Sequence, residues 1–298
     1  MILRRHWRVF LGIGAVLLLL VALIWRHANL VRTSPVGAGV SRLIEPILPA
    51  TLQARTQLDE GVQSYKNARY EEAIDHFNRA VSLDPGLTNA HLYLATAYAQ
   101  QYITGVETED NTRMAQQAIE QYKALLELDP KNINGVKSIA HLYLQMKKLE
   151  DAKTFYRKAT ELDPNDPEPY YSVAVIDWTQ SYQPRMEERA RLGLKPEEPL
   201  KDKNVCTLLK DKNAAIIQDG IDNLNKALQL RPDYDDAMAY MNLVYRERAD
   251  LSCDDPAARA AYLKTADDWV DRTMATKKAK AEREPGAQGI TMDQQRRR

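Results

Sequence analysis

The chain opens on an unbroken apolar run. From Val9 to Trp25, seventeen residues (VFLGIGAVLLLLVALIW) carry no charge. As a helix rising 1.5 Å per residue they span about 25 Å, the short end of what a bilayer core accepts. Trp7 and Trp25 bracket the run where interfacial aromatics sit. Arg26, His27 and Arg32 follow at once, and the first small-residue cluster, Gly37-Ala38-Gly39, comes late. An uncleaved transmembrane anchor over 9–25 therefore fits better than a cleaved signal peptide. Arg4, Arg5 and Arg8 in the basic segment 1–8 outnumber Arg26 and Arg32, which favours a cytoplasmic N-terminus and an exported body. Residues 26–53, with Pro35, Gly37, Gly39, Pro46 and Pro49, read as a linker.

Beyond the linker the hydrophobic pattern repeats. A stretch ending in an acid or Arg and then Pro recurs as VSLDP at Pro85, LELDP at Pro130, TELDP at Pro164 and LQLRP at Pro232. The separations of 45, 34 and 68 residues fit one 34-residue unit with insertions. Upstream of Pro85 stand Ala73, Phe77 and Ala80; Ala152, Tyr156 and Ala159 keep the same offsets from Pro164. Ala118, Tyr122 and Leu125 match before Pro130, and Gly220, Leu224 and Ala227 before Pro232. Gly61, Ala95, Ala140 and Ala174 take a matching place on an earlier helix. This register resembles the tetratricopeptide repeat (TPR). The resemblance implies two antiparallel helices per unit, drawn together by small residues, filled by aromatics and ended by Pro. The recurring Ala and aromatic positions are then core. One departure is the early aromatic spot, where Gln57, His91, Val136, Tyr170 and Met238 stand instead of Trp.

The expected fold is all-α: a TPR helical-hairpin solenoid of about five repeats over 54–276, preceded by the single transmembrane helix. Units fall near 54–87, 88–132, 133–166, 167–234 and 235–276, and a polar, disordered tail is expected over 277–298. Insertions near 103–111, 181–214 and 250–262 all lie between the two helices of a unit, so they should gather on one rim. The largest should lengthen its first helix past a kink at Pro184 and then form a Pro-rich loop. Asp255 before Pro256 reads as a helix cap, and Asp110 or Asn111 as the cap of the second helix of unit two. Cys206 and Cys253 sit in two of the insertions: they either form a disulfide, which an exported body would favour, or remain partly buried thiols.

The resemblance further implies that first helices line a protein-binding groove. Its candidates are Tyr65 and Lys66, then Asn89, Thr96 and Gln100, then Asn134, Lys137, His141 and Gln145, and finally Tyr171, Trp178 and Arg246, with Glu247 beside them. Tyr171 and Trp178 form the aromatic patch, although Trp178 is equally suited to packing under the long insertion.

Composition narrows the function. The chain is 298 residues long, 44% hydrophobic and 28% charged, which is ordinary for a folded protein. Lys plus Arg equals Asp plus Glu at 41 each, which argues against a nucleic-acid partner. The ends are basic and the body 54–276 acidic, with 28 basic against 37 acidic residues. No G-x-S-x-G, H-E-x-x-H or phosphate-loop motif occurs, so no enzyme, metal, cofactor or small-molecule substrate is expected. The reading is a non-catalytic, membrane-anchored scaffold or adaptor. It binds a protein or peptide on the periplasmic side of the cytoplasmic (inner) membrane, as an accessory subunit of a membrane complex in one variant. The alternative is a cytosol-facing anchored receptor that recruits soluble proteins.

Overall fold

The computed structural model describes residues 49–195 and 198–283. The expected transmembrane segment 9–25, the basic segment before it and all but the last residues of the linker lie outside them, as does the tail from 284. Among the described residues there are ten α-helices and no strand. They are α1 (Ala50–Lys66), α2 (Tyr70–Leu83), α3 (Thr88–Gln101), α4 (Glu109–Leu128) and α5 (Ile133–Gln145), followed by α6 (Leu149–Leu162), α7 (Pro167–Arg191), α8 (Lys203–Leu230), α9 (Asp235–Asp250) and α10 (Pro256–Arg283). No described helix is long and apolar enough to cross a membrane. The residues fall into two compact units that divide after Ala97, within α3.

The four repeat prolines each stand just past a second helix. Asp84, Asp129, Asp163 and Arg231 end α2, α4, α6 and α8 at nearly identical angles, φ −134 to −144° and ψ 84 to 90°. The residue before a proline is disfavoured in the helical region, which helps to end each of these helices there. Each cap N–H donates to the carbonyl four residues back, at Ala80, Leu125, Ala159 and Ala227. Two of the tight turns within units close through a left-handed residue. Ala68 and Lys147 both have φ 58°, and Arg69 N and Lys148 N donate to Ser64 O and Tyr143 O five residues back.

In the first unit α1 and α2 pack as an antiparallel hairpin, and Ala54, Ala73, Phe77 and Ala80 are fully buried. The Phe77 ring stacks on Tyr93 at 5.8 Å between centroids. Gly61 makes this approach possible: a Cβ there would lie 2.5 Å from Phe77 Cε1. His91 and Gln57, at the early aromatic position, are buried and hydrogen-bonded, His91 Nε2 to Pro85 O at 3.0 Å and Gln57 Oε1 to His76 Nδ1 at 2.9 Å.

In the second unit α5 packs with α6, α7 with α8 and α9 with α10. Ala140, Ala152, Tyr156, Val173 and Ile176 form one core cluster. A larger one runs from Ala174 through Leu209, Ile217 and Leu224 to Ala237, Met241 and Val244. Tyr170 again repeats the early-position device, its hydroxyl donating to Pro164 O at 3.4 Å.

Several boundaries differ from expectation. α1 starts at Ala50 rather than 54. The insertion at 181–214 lengthens both helices, so α7 and α8 reach 25 and 28 residues, and Pro184 lies inside α7. α10 continues past 276 to Arg283, where Lys277 and Lys280 lie against the Asp235 carboxylate. Asp255 does cap α10, accepting from Ala258 N at 2.9 Å. α4 is capped by Thr108 instead of Asp110 or Asn111, its hydroxyl accepting from Asn111 N. The Asn111 side chain is used otherwise: buried, it accepts from Ile103 N and donates to Ile103 O and Val106 O, which fixes the loop before the helix.

Because the Phe77 ring is fully enclosed and cannot retreat, Gly61→Ala should cost about 1–3 kcal/mol by overpacking. Urea unfolding followed by circular dichroism should show it. Gly105→Ala, where a Cβ meets nothing within 4 Å, is the comparison for backbone strain alone.

Candidate functional site

The side chains expected in a groove divide between the two units. In the first unit Tyr65 packs edge-on against Tyr70 at 5.3 Å across the hairpin turn, and Lys66 is exposed at the end of α1. Asn89 is exposed, and the Thr96 hydroxyl donates to Leu92 O of its own helix. In the second unit Gln100, Asn134 and His141 are exposed and Gln145 is half-buried. Lys137 is engaged in ion pairs, its Nζ 2.9 Å from Asp166 and also against Glu168 at the start of α7. Glu247 is 2% exposed and so is no groove residue; its Oε2 lies 2.7 Å from Arg185 Nε. Arg246 is exposed and pairs with Asp267 at 2.7 Å.

Tyr171 and Trp178, in contrast, belong to a continuous aromatic seam. Seven residues apart on α7, they present one helix face. Tyr240 of α9 inserts between them, its centroid 5.5 Å from Tyr171 and 5.6 Å from Trp178, nearly perpendicular to both at 85° and 86°. Such edge-to-face contacts suit the ring quadrupoles. Tyr182 extends the seam at 4.7 Å from Trp178, and Tyr234, just before α9, extends it the other way at 5.0 Å from Tyr171. Guanidinium groups close both ends: Arg231 lies 4.4 Å from the Tyr234 centroid and Arg185 5.5 Å from that of Tyr182. Tyr171, Trp178, Tyr182 and Tyr240 stay half-buried, so ring surface faces solvent while the bases are held in the core. Burial pushes the Tyr234 phenol up to about 12, and raises Tyr171 and Tyr240 as well. These three phenols thus stay neutral at neutral pH. Sequence reasoning found Tyr171 and Trp178 but missed Tyr182, Tyr234 and Tyr240; Tyr182, four residues after Trp178, was the available signal.

The back of α7 is anchored by charge. Asp177, beside Trp178, is fully buried and contacts Lys153 Nζ of α6. Lys153 also reaches Asp219 of α8 at 2.9 Å, and Asp219 takes Arg157 at 2.7 Å. Gly220 lets α8 close on this point, since a Cβ there would be 3.2 Å from Asp177 Cβ. Burial, opposed by Lys153, pushes the Asp177 carboxyl up to about 7.

The long insertion is tied down separately. Cys206 in α8 and Cys253 in the α9–α10 turn are joined as a disulfide with Cα atoms 5.8 Å apart, and no described cysteine is free. Beside it the buried Arg189 donates to Asp250 Oδ2 at 3.0 Å and to the carbonyls of Lys195 and Glu198, which pins the loop between α7 and α8. Among the described residues no group of three or more His, Cys, Asp or Glu could hold a metal ion.

Antiparallel helical hairpins of 34-residue register, each ended by the same pre-proline cap, define an α-helical repeat protein. Two tetratricopeptide-repeat profiles match the chain, at residues 63–87 and 113–175. Over those two segments the sequence is similar to the tetratricopeptide repeat. Among solved structures it resembles the MamA protein, with 13% identity, coverage of 80% of this chain and 97% of that one, and a TM-score of 0.51. MamA 41-end from Desulfovibrio magneticus RS-1 is similar at 14% identity, with coverage of 76% and 96% and a TM-score of 0.51. These likenesses establish the fold alone. The DnaJ protein P58IPK homolog of Arabidopsis thaliana is 27% identical over 118 residues, 38% of this chain and 22% of that protein, so the match spans about a fifth of that relative's length.

The raised Asp177 carboxyl makes stability depend on pH. Its ordinary value is 3.8, so between about pH 4 and 7 the folded state holds a proton that the unfolded state has lost. This contribution is full below pH 4 and is lost as pH rises through 7. Asp177→Asn should flatten that part of the curve, which thermal melts at pH 5 and 7.5 can read.

Proposed function

We propose that this chain is a non-catalytic scaffold that holds a protein or peptide partner on the aromatic seam of α7 and α9, and that it is fixed to the cytoplasmic membrane by residues 9–25. The half-exposed seam carries the binding proposal. Large rings held rigidly by a helix pair offer contact area without further ordering cost, the usual character of an interface anchor.

The repeat body lies on the extracytoplasmic side in this proposal, for two reasons. The basic segment before the apolar run favours staying in the cytosol, and a disulfide between Cys206 and Cys253 persists where conditions are oxidising. The rim insertions supply further surface for membership of a membrane complex.

The partner should be recovered by pull-down of the full chain in mild detergent, and Tyr171→Ala/Trp178→Ala should reduce recovery about tenfold or more, as hot-spot truncations do. Unchanged recovery would exclude the seam as the binding surface. For sidedness, protease added to intact spheroplasts should cleave the repeat body; protection would instead place it in the cytosol and support a receptor that recruits soluble proteins.

A further inference from the structure

The two sulfurs of the disulfide are unequally exposed. Cys206 is 1% exposed and belongs to the core cluster that includes Val205, Leu209 and Leu251. Cys253, on the turn between α9 and α10, is half-buried and packs against that cluster from outside. Both cysteines line a cavity of about 410 Å³, with Leu200 and Leu263 as apolar lining. Lys203 and Asp254, which also line it, are paired at 3.0 Å and largely exposed, so the cavity is open to solvent. Cys253 lines a second cavity as well, of about 300 Å³, whose lining does not include Cys206. Which sulfur of a disulfide is attacked depends on access, and access here favours Cys253.

An opened bond would leave both ends supported. Cys206 Sγ lies 3.4 Å from Asp250 O, a carbonyl to which a thiol at that place can donate. The turn has its own bonds: Leu251 N donates to Arg248 O, Ser252 N to Ala249 O and Asp255 N to Ser252 O, each at 3.2 Å. Val205, Leu209 and Ile217 hold α8 in the core cluster independently of the link.

We infer that Cys253 is a site of reversible S-thiolation by a small thiol. The thiolate of that molecule attacks Cys253 Sγ and forms a new S–S bond with it. The bond between Cys206 and Cys253 breaks with its electron pair on Cys206 Sγ, which takes a proton from solvent. One disulfide is thus exchanged for another, and no further oxidant or reductant is consumed. Only a thiolate attacks back, and charge on a sulfur enclosed by apolar side chains is costly, so Cys206 is slow to displace the newcomer. The larger cavity is within the range of small-molecule sites, which leaves room for the rest of the thiol against Leu200 and Leu263. Thiolation releases α8 from the α9–α10 turn, and removal of the thiol restores the tie. This inference is independent of the aromatic seam.

The test treats the oxidised full chain in mild detergent with reduced glutathione, quenches with acid, alkylates the unfolded chain and locates the adduct by peptide mass spectrometry. Glutathione is expected on Cys253 with Cys206 alkylated, about tenfold or more above the reverse product, at unchanged helical circular dichroism. Absence of an adduct, an adduct that does not favour Cys253, or loss of the helical signal overturns the site. In Cys206→Ser no second thiol can reclose the bond, and glutathione disulfide should load Cys253; failure to load the folded variant also overturns the site. Should that variant fail to fold, the wild-type adduct decides by itself.

Discussion

The repeat register depends on one steric constraint, the bias of a pre-proline residue away from the helical region at the end of each second helix. Four times the chain leaves a second helix just before a proline, at nearly the same backbone angles. The cap costs little, since each terminating N–H still finds the carbonyl four residues back. The sequence of the cap residue matters less than the proline after it. Asp does the work at three positions and Arg at the fourth with equivalent geometry. Because the side chain is free of that duty, it serves elsewhere: Arg231 lies over Tyr234 and closes one end of the aromatic seam.

The pattern of small residues and aromatics made this register legible before any coordinates, because such positions report helix contact within one hairpin. The missing early aromatics were less legible. At His91 and Tyr170 a polar group instead reaches the carbonyl of the preceding repeat proline, which supports the same junction by hydrogen bonding rather than by packing. Neither residue type announces that partner, since the bond forms only once the proline has turned the chain. The seam was half legible for a related reason. Tyr171 and Trp178 share a face by helical spacing alone, whereas Tyr240 and Tyr234 reach them only through the stacking of α9 on α7, a distance of more than sixty residues along the chain.

The insertions were the least legible part. Asp110 and Asn111 looked like caps because their residue types cap helices, but the buried Asn111 gains three hydrogen bonds by bracing the loop, and Thr108 is left to cap. Propensity identifies a residue that can satisfy a helix end; it does not rank that use against a tertiary one. The long insertion shows the same limit. The lengthening of α7 and a Pro-rich loop after it were expected from the sequence, whereas the lengthening of α8 was not; Arg189 donates to backbone carbonyls at the connecting turn.

That choice of support has an energetic logic. Part of the support for the extended hairpin is apolar, since Leu200, Val205 and Leu209 are buried in the larger core cluster. A buried ionic cluster is a poor substitute as a source of stability, because desolvation offsets most of the attraction. The covalent link is of a different kind. Closing the 47-residue separation between Cys206 and Cys253 restricts the unfolded chain and contributes about 4 kcal/mol without needing a larger core.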